Sequence, residues 1–127
     1  MAGPTTLRPL LAFAVALVAG PAIAAEPDPR GIWARDDGNA RVRIAPCGAA
    51  LCATNLWIRD TSKGEAVGDV LIMDVEPAGA TLRGTAQDPK RGLRYSIRIS
   101  RSGDRLQTRG CMLGGLLCKT VGWSRLP

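Results

Sequence analysis

Short stretches in which apolar and polar residues alternate strictly, each closed by a turn-forming cluster, run through this sequence from Gly31 onward. They leave a chain of this size few folds to choose from. The clearest is Arg94 to Ser100, where Tyr95, Ile97 and Ile99 alternate with Arg94, Ser96 and Arg98. Successive side chains of an extended strand point to opposite faces, so this pattern is a strand with one apolar side. Ala40 to Ala45 repeats it, with Val42 and Ile44 on the apolar side and Arg41 and Arg43 opposite. Gly31–Arg35, Ala53–Asp60, Asp69–Glu76, Thr81–Gln87, Arg105–Cys111 and Thr120–Arg125 bring the expected strands to eight. Between them lie turn sequences such as Asp36-Asp37-Gly38-Asn39, Pro77-Ala78-Gly79 and Asp88-Pro89-Lys90-Arg91-Gly92. No stretch after residue 30 sustains a helical apolar period, which makes the fold all-β, a small antiparallel meander. Eight short strands hide their edges most economically by closing on themselves, so an eight-stranded barrel is expected. A barrel of that size either is filled by side chains or holds one small ligand, and for so short a chain filling is expected. Ala53–Asp60 and Asp69–Glu76 carry apolar residues on both faces, such as Val70 and Ile72 against Leu71, Met73 and Val75, which predicts strands covered on both sides or strands beside the barrel's neighbour contacts.

The first residues have a different character. Arg8 precedes the apolar run Leu10 to Ala19, which is too short for a transmembrane helix of about 20 residues but suits a secretory leader. Gly20 and Pro21 then break the run, and Ala22-Ile23-Ala24 offers the small residues of a cleavage site. Residues 1–24 therefore read as a signal peptide cut between Ala24 and Ala25, residues 25–30 as a flexible lead, and residues 31–127 as one domain. The expected location is periplasmic or secreted, with no transmembrane segment in the mature chain.

Cys47, Cys52, Cys111 and Cys118 all lie after the cleavage site. An even number of cysteines in an exported chain reads first as disulfides, here the local pairs Cys47 with Cys52 and Cys111 with Cys118. Closing such loops is worth roughly 2 kcal/mol each. The spacings are looser than the usual zinc pairs and lack the C-x-x-C form of redox thiols, so neither a metal nor a cofactor is expected.

Loss of the leader removes one of 17 basic residues and leaves 16 against 11 acidic ones. Arg94, Arg98 and Arg109, with Arg41, Arg43 and Arg105, would form a basic face if their strands were neighbours. Nucleic-acid binding fits the charge but not the compartment, nor the few aromatics left for stacking, namely Trp33, Trp57, Tyr95 and Trp123. The chain has no histidine, which removes the commonest general base, and no catalytic residue is assigned. The most unusual element lies between the last two cysteines, where Met112, Leu113, Leu116 and Leu117 flank Gly114-Gly115. The expectation is that these side chains fold over the barrel end and complete the core; the alternative is a contact site for lipid or a partner protein.

Gly31-Ile32-Trp33 at the first strand, with Trp123-Ser124-Arg125 in the last, resembles the closure of lipocalin-like barrels. There a tryptophan at the barrel floor stands beside an arginine, an attractive cation-π contact. A wider resemblance takes in Val42-Arg43-Ile44-Ala45-Pro46-Cys47-Gly48, Leu51-Cys52, Asp88-Pro89, Gly92, Tyr95, Leu106, Arg109-Gly110-Cys111 and Gly122-Trp123-Ser124-Arg125. In that order these residues resemble the bacterial periplasmic family DUF2147, a domain of unknown function, in a cysteine-bearing branch. The resemblance implies a secreted lipocalin-like β-barrel and no established activity. The chain departs from the family in its short Thr61 to Gly68 segment, in Ala53 and in Gln87, so a groove built from those features is not implied. Taken together, the sequence points to a non-enzymatic binding or interaction module. Its partner is a small molecule, an envelope lipid or a protein. A carboxylate-based enzyme acting on envelope glycans is the alternative from another class.

Overall fold

The computed structural model describes residues 27–127, together with the isolated positions 3, 4, 12 and 14. The leader read over residues 1–24 and its cleavage point fall outside the described residues, those four positions apart.

Eight strands follow one another: β1 (Gly31–Arg35), β2 (Ala40–Cys47), β3 (Ala50–Ile58), β4 (Val70–Ala78), β5 (Thr81–Asp88), β6 (Leu93–Ser102), β7 (Arg105–Met112) and β8 (Leu117–Arg125). Each pairs antiparallel with the next, and β8 returns to β1, so the sheet is a closed barrel in chain order. All eight expected strands are present. β3 and β8 begin earlier than the alternation suggests because their cysteines belong to the ladder, Cys52 opposite Ala45 and Cys118 opposite Cys111. The disulfides are Cys47–Cys52 and Cys111–Cys118, as the spacing predicts.

Antiparallel order sorts the connections to two ends. The turns after β2, β4 and β6 share one end with the chain termini, and those after β1, β3, β5 and β7 share the other. At the first end Trp33 is wholly buried and its indole Nε1 donates to the Pro29 carbonyl at 2.8 Å. The Arg125 guanidinium lies 4.9 Å from the indole ring centre and the Arg101 guanidinium 6.0 Å. Trp33 and Arg125 thus meet at this end, with Arg101 as a second cation. Arg101 also donates to the Asp28 carbonyl at 2.7 Å, and Pro27 and Pro29 are buried. Residues 27–30, composed like a flexible lead, pack across this end as a plug. Arg125 Nε is buried with no acceptor among the described residues; its neighbour is the indole face instead.

Above this floor Val42, Ile44, Met73, Leu82, Ala86, Ile97, Ile99 and Leu106 fill the interior around Trp33. Gly84 lets β5 run against β4: any Cβ there would strike the Asp74 carbonyl. β4 has no second layer outside it, contrary to its two-sided apolar pattern, because a single closed sheet has only one interior. Leu71, Met73 and Val75 point inward. Ile72 lies outside, half-buried, opposite Cys52 of the adjacent disulfide-bearing hairpin. A bulge in β3 between the partners of Arg41 and Val42 turns Leu56 and Trp57 outward, and the Arg41 guanidinium covers the Trp57 ring at 4.8 Å.

Candidate functional site

The inward positions of β7 read Leu106, Thr108, Gly110 and Met112, and those opposite on β8 read Trp123, Val121, Lys119 and Leu117. The lower pair is large. Above it come Thr108 with Val121 and Gly110 with Lys119, below Met112 and Leu117 at the rim, and β3 adds only Ala53. A ring of strands with small inward residues cannot close its own interior. The result is a cavity of about 420 Å³ in the half of the barrel away from Trp33. The expectation of a filled interior therefore holds for the floor and fails for the upper half.

Ile44, Leu71, Met73, Tyr95, Ile97 and Val121 supply most of the remaining wall. Gly110 lets the Tyr95 ring lie against β7, since a Cβ would lie 2.8 Å from that ring and push it aside. The Tyr95 hydroxyl is pushed above its ordinary pKa, first by burial and then by the negative charge of Asp88. Among the described residues no carboxylate and no free thiol lines the cavity, and its one charged residue is Lys119.

Met112 and Leu117 stand at the upper rim and line the cavity, whereas Leu113 and Leu116 project beyond it. Leu113, Leu116 and Leu117 are 69%, 85% and 60% exposed. The tip does not complete the core, which corrects the expectation. The reason is geometric: Met112 pairs with Leu117 directly above the Cys111–Cys118 bridge. That ladder carries the connection upward past the barrel mouth instead of across it. The Gly114-Gly115 hairpin turn forms with a short 3-10 turn over Leu113–Gly115, and Leu113 itself takes φ 53°. That left-handed region is uncommon for a side chain of this bulk.

The arginines do not form a single face. β2, with Arg41 and Arg43, and β6, with Arg94 and Arg98, are four strands apart around the barrel. The register does bring Arg98 directly opposite Arg109, and on its other side opposite Arg83, which makes an outward row of three arginines. Arg94 is opposite Gln87 instead. Arg105 is paired with Asp36 at 2.6 Å, and the pair lies across Gly122, where a Cβ would collide with the Asp36 carboxylate. Trp123 donates from Nε1 to Thr108 Oγ1 at 3.1 Å.

Besides Asp36, the carboxylates of Asp28, Asp37, Glu65, Asp69 and Asp88 are held in surface ion pairs, whereas Asp60, Asp74, Glu76 and Asp104 make none among the described residues. Arg35 bridges Glu65 at 2.6 Å and Asp37 at 2.9 Å. Asp69 receives Lys90 at 2.9 Å and Arg91 at 3.3 Å, and Arg91 also meets Asp88 at 2.9 Å. The hydrogen bond from Arg35 holds Glu65 and Asp37 below the usual carboxylate range, and that from Lys90 does the same for Asp69. Asp28, bonded by Arg30, is lowered to about 2. Among the described residues no group of three or more metal-ligating side chains is gathered, and no helix is long and apolar enough to cross a membrane.

A plugged floor, a wall of eight antiparallel strands and an apolar chamber open at the far end define a single-layer β-barrel with one mouth. The chain belongs to the DUF2147 family, described as "Uncharacterized protein conserved in bacteria", whose model matches residues 31–125, the whole of this barrel. No curated protein and no solved structure matches the chain.

The cavity was the site that sequence reasoning missed. Its signal was available in the small inward residues Ala53, Thr108 and Gly110, but only once the strands are aligned around a closed ring.

Proposed function

We propose that this protein is an exported, non-enzymatic binding module that holds a small apolar molecule in the open half of its barrel. The observation that carries this reading is the cavity of about 420 Å³, walled almost throughout by carbon. Small-molecule sites commonly span roughly 300–1,000 Å³ and bury most of the ligand. The two disulfides support an oxidising compartment, periplasmic or extracellular, since such bridges persist where thiols are not kept reduced. Among the described residues no carboxylate faces the cavity, which favours binding over glycan chemistry there. Native mass spectrometry of protein isolated from the periplasm of an expressing bacterium tests the reading. One apolar adduct per chain is expected, displaced by an environment-sensitive naphthalene dye whose binding is lost in Ala53→Trp. Protein that arrives bare and produces no dye enhancement overturns it.

A second reading concerns the tip. Leu113, Leu116 and Leu117 are exposed together, and Leu113 keeps an apolar side chain where the backbone favours glycine or asparagine. Burying two of these leucines in a lipid surface would contribute about 3 to 5 kcal/mol, enough for weak, reversible association. Co-sedimentation with phosphatidylglycerol vesicles at low salt is the assay. Leu113→Asp and Leu116→Asp should abolish sedimentation while leaving thermal melting unchanged. A wild-type protein that stays in the supernatant excludes this reading.

A further inference from the structure

Within β8 the inward positions are Leu117, Lys119, Val121 and Trp123, so a lysine stands where the alternation calls for an apolar residue. Its Cα is opposite Gly110, and the side chain lines the cavity while the residue remains exposed. A lysine in that position lays its four-carbon stem along the apolar wall and keeps the ammonium at the water boundary. The wall is otherwise uncharged. Asp37 feels the positive charge of Lys119, yet its carboxylate is held by Arg35 at 2.9 Å, and no acid forms an ion pair with Lys119 among the described residues.

We infer that the ligand is an anionic amphiphile, its apolar portion in the cavity and its negatively charged head at the mouth against the Lys119 ammonium. The inference rests on the proposed role of the cavity as a binding site and adds the chemical class of what it takes. A carboxylate or a phosphate head would satisfy the same ammonium, because a lysine acts as a point charge with three rotatable donors. The chamber favours a single chain or a small ring system over a two-chain lipid, since its volume lies near the low end of small-molecule sites.

A plainer role for Lys119 also follows from the fold. β8 pairs with β1 only at Trp123, Ser124 and Arg125, with two flanking bonds, from the Asp36 amide to the Gly122 carbonyl and from the Leu126 amide to the Ile32 carbonyl, so its upper part has a free edge. Inward charges on such strands discourage unwanted strand pairing. The two roles differ in what they predict for ligands.

Decanoate and decanol, equal in chain length and differing in head charge, are titrated calorimetrically into the wild type and Lys119→Met at pH 7. The expected wild-type result is decanoate binding about three- to tenfold tighter than decanol, a margin set by one partly exposed charge pair. That margin should shrink with added salt and vanish in Lys119→Met, while decanol affinity stays the same. Equal wild-type affinities, or a preference that survives in Lys119→Met, overturn the inference and leave the cavity reading standing. A variant that self-associates yet keeps the preference assigns Lys119 to edge protection and likewise overturns it. Failure of both compounds to bind removes the cavity reading and this inference with it.

Discussion

Replacing Ala53 by leucine separates a hollow barrel from a filled one by the sign of its effect on stability. Ala53 sits inward on β3, opposite Ile44 and Leu71, and faces the cavity. Leucine adds three carbons, worth about 0.8 kcal/mol each when fully buried, or about 2.4 kcal/mol together. The chamber is open at its mouth, so about half of that burial is realised, near 1.2 kcal/mol. Fixing the leucine rotamer costs about 0.5 to 1 kcal/mol in return. The net is a gain of about 0.5 kcal/mol, which raises Tm by about 2 to 4 °C in a domain of this length. In a barrel already packed at this level the same three carbons would have no room, and overpacking would cost about 1 to 3 kcal/mol. Thermal melting followed by far-ultraviolet circular dichroism reads the sign, and dye binding on the same sample reads the loss of space. A Tm that falls by 5 °C or more, which is about 1 kcal/mol or more of destabilisation, with dye binding intact would refute the placement of the cavity beside Ala53.

Three further outcomes follow from the same structure. Arg98→Thr should stabilise the fold by about 0.5 kcal/mol at low salt, because it removes two directly opposed like-charge pairs, with Arg83 and Arg109; the gain should disappear in 0.5 M salt, about five times the ionic strength at which the Debye length is about 10 Å. Acid melts should be flat from about pH 8 to pH 5 and then decline. The carboxylates of Asp28, Asp36, Asp37, Glu65 and Asp69 are depressed in the folded state, so their contribution is complete above the unfolded value near about 4 and is lost as pH falls through the folded values, about 2 for Asp28. A steep loss at pH 6 would contradict that window. Removing either bridge, as Cys47→Ala with Cys52→Ala or Cys111→Ala with Cys118→Ala, should lower unfolding free energy by about 2 kcal/mol in urea titrations, through the loop entropy restored to the unfolded chain.

Much of the architecture was legible before any coordinates, because it depends on local rules. Period-two alternation in Arg94–Ser100 and Ala40–Ala45 specifies strands and their inward faces without reference to partners. Turn residues bound them, and of the three pairings open to four cysteines the two local ones, each within one hairpin, are favoured by spacing and are the ones formed. The tryptophan and arginine of the first and last strands were matched through their resemblance to the closure of lipocalin-like barrels, where those strands are neighbours. The features that escaped depend on which strands face each other and in what register. Whether Arg98 has an arginine, a threonine or an acid beside it is decided by the alignment of β5, β6 and β7, and by nothing in β6. Whether the tip covers the mouth depends on the upward direction of the β7–β8 ladder. The cavity is the clearest case, since Ala53, Thr108 and Gly110 are unremarkable in their own strands and leave a void only when the closed ring sets them at one level. Local sequence determines the faces of each strand by sterics and solvation, whereas empty space and charge proximity are properties of several strands at once and were decided by the tertiary structure alone.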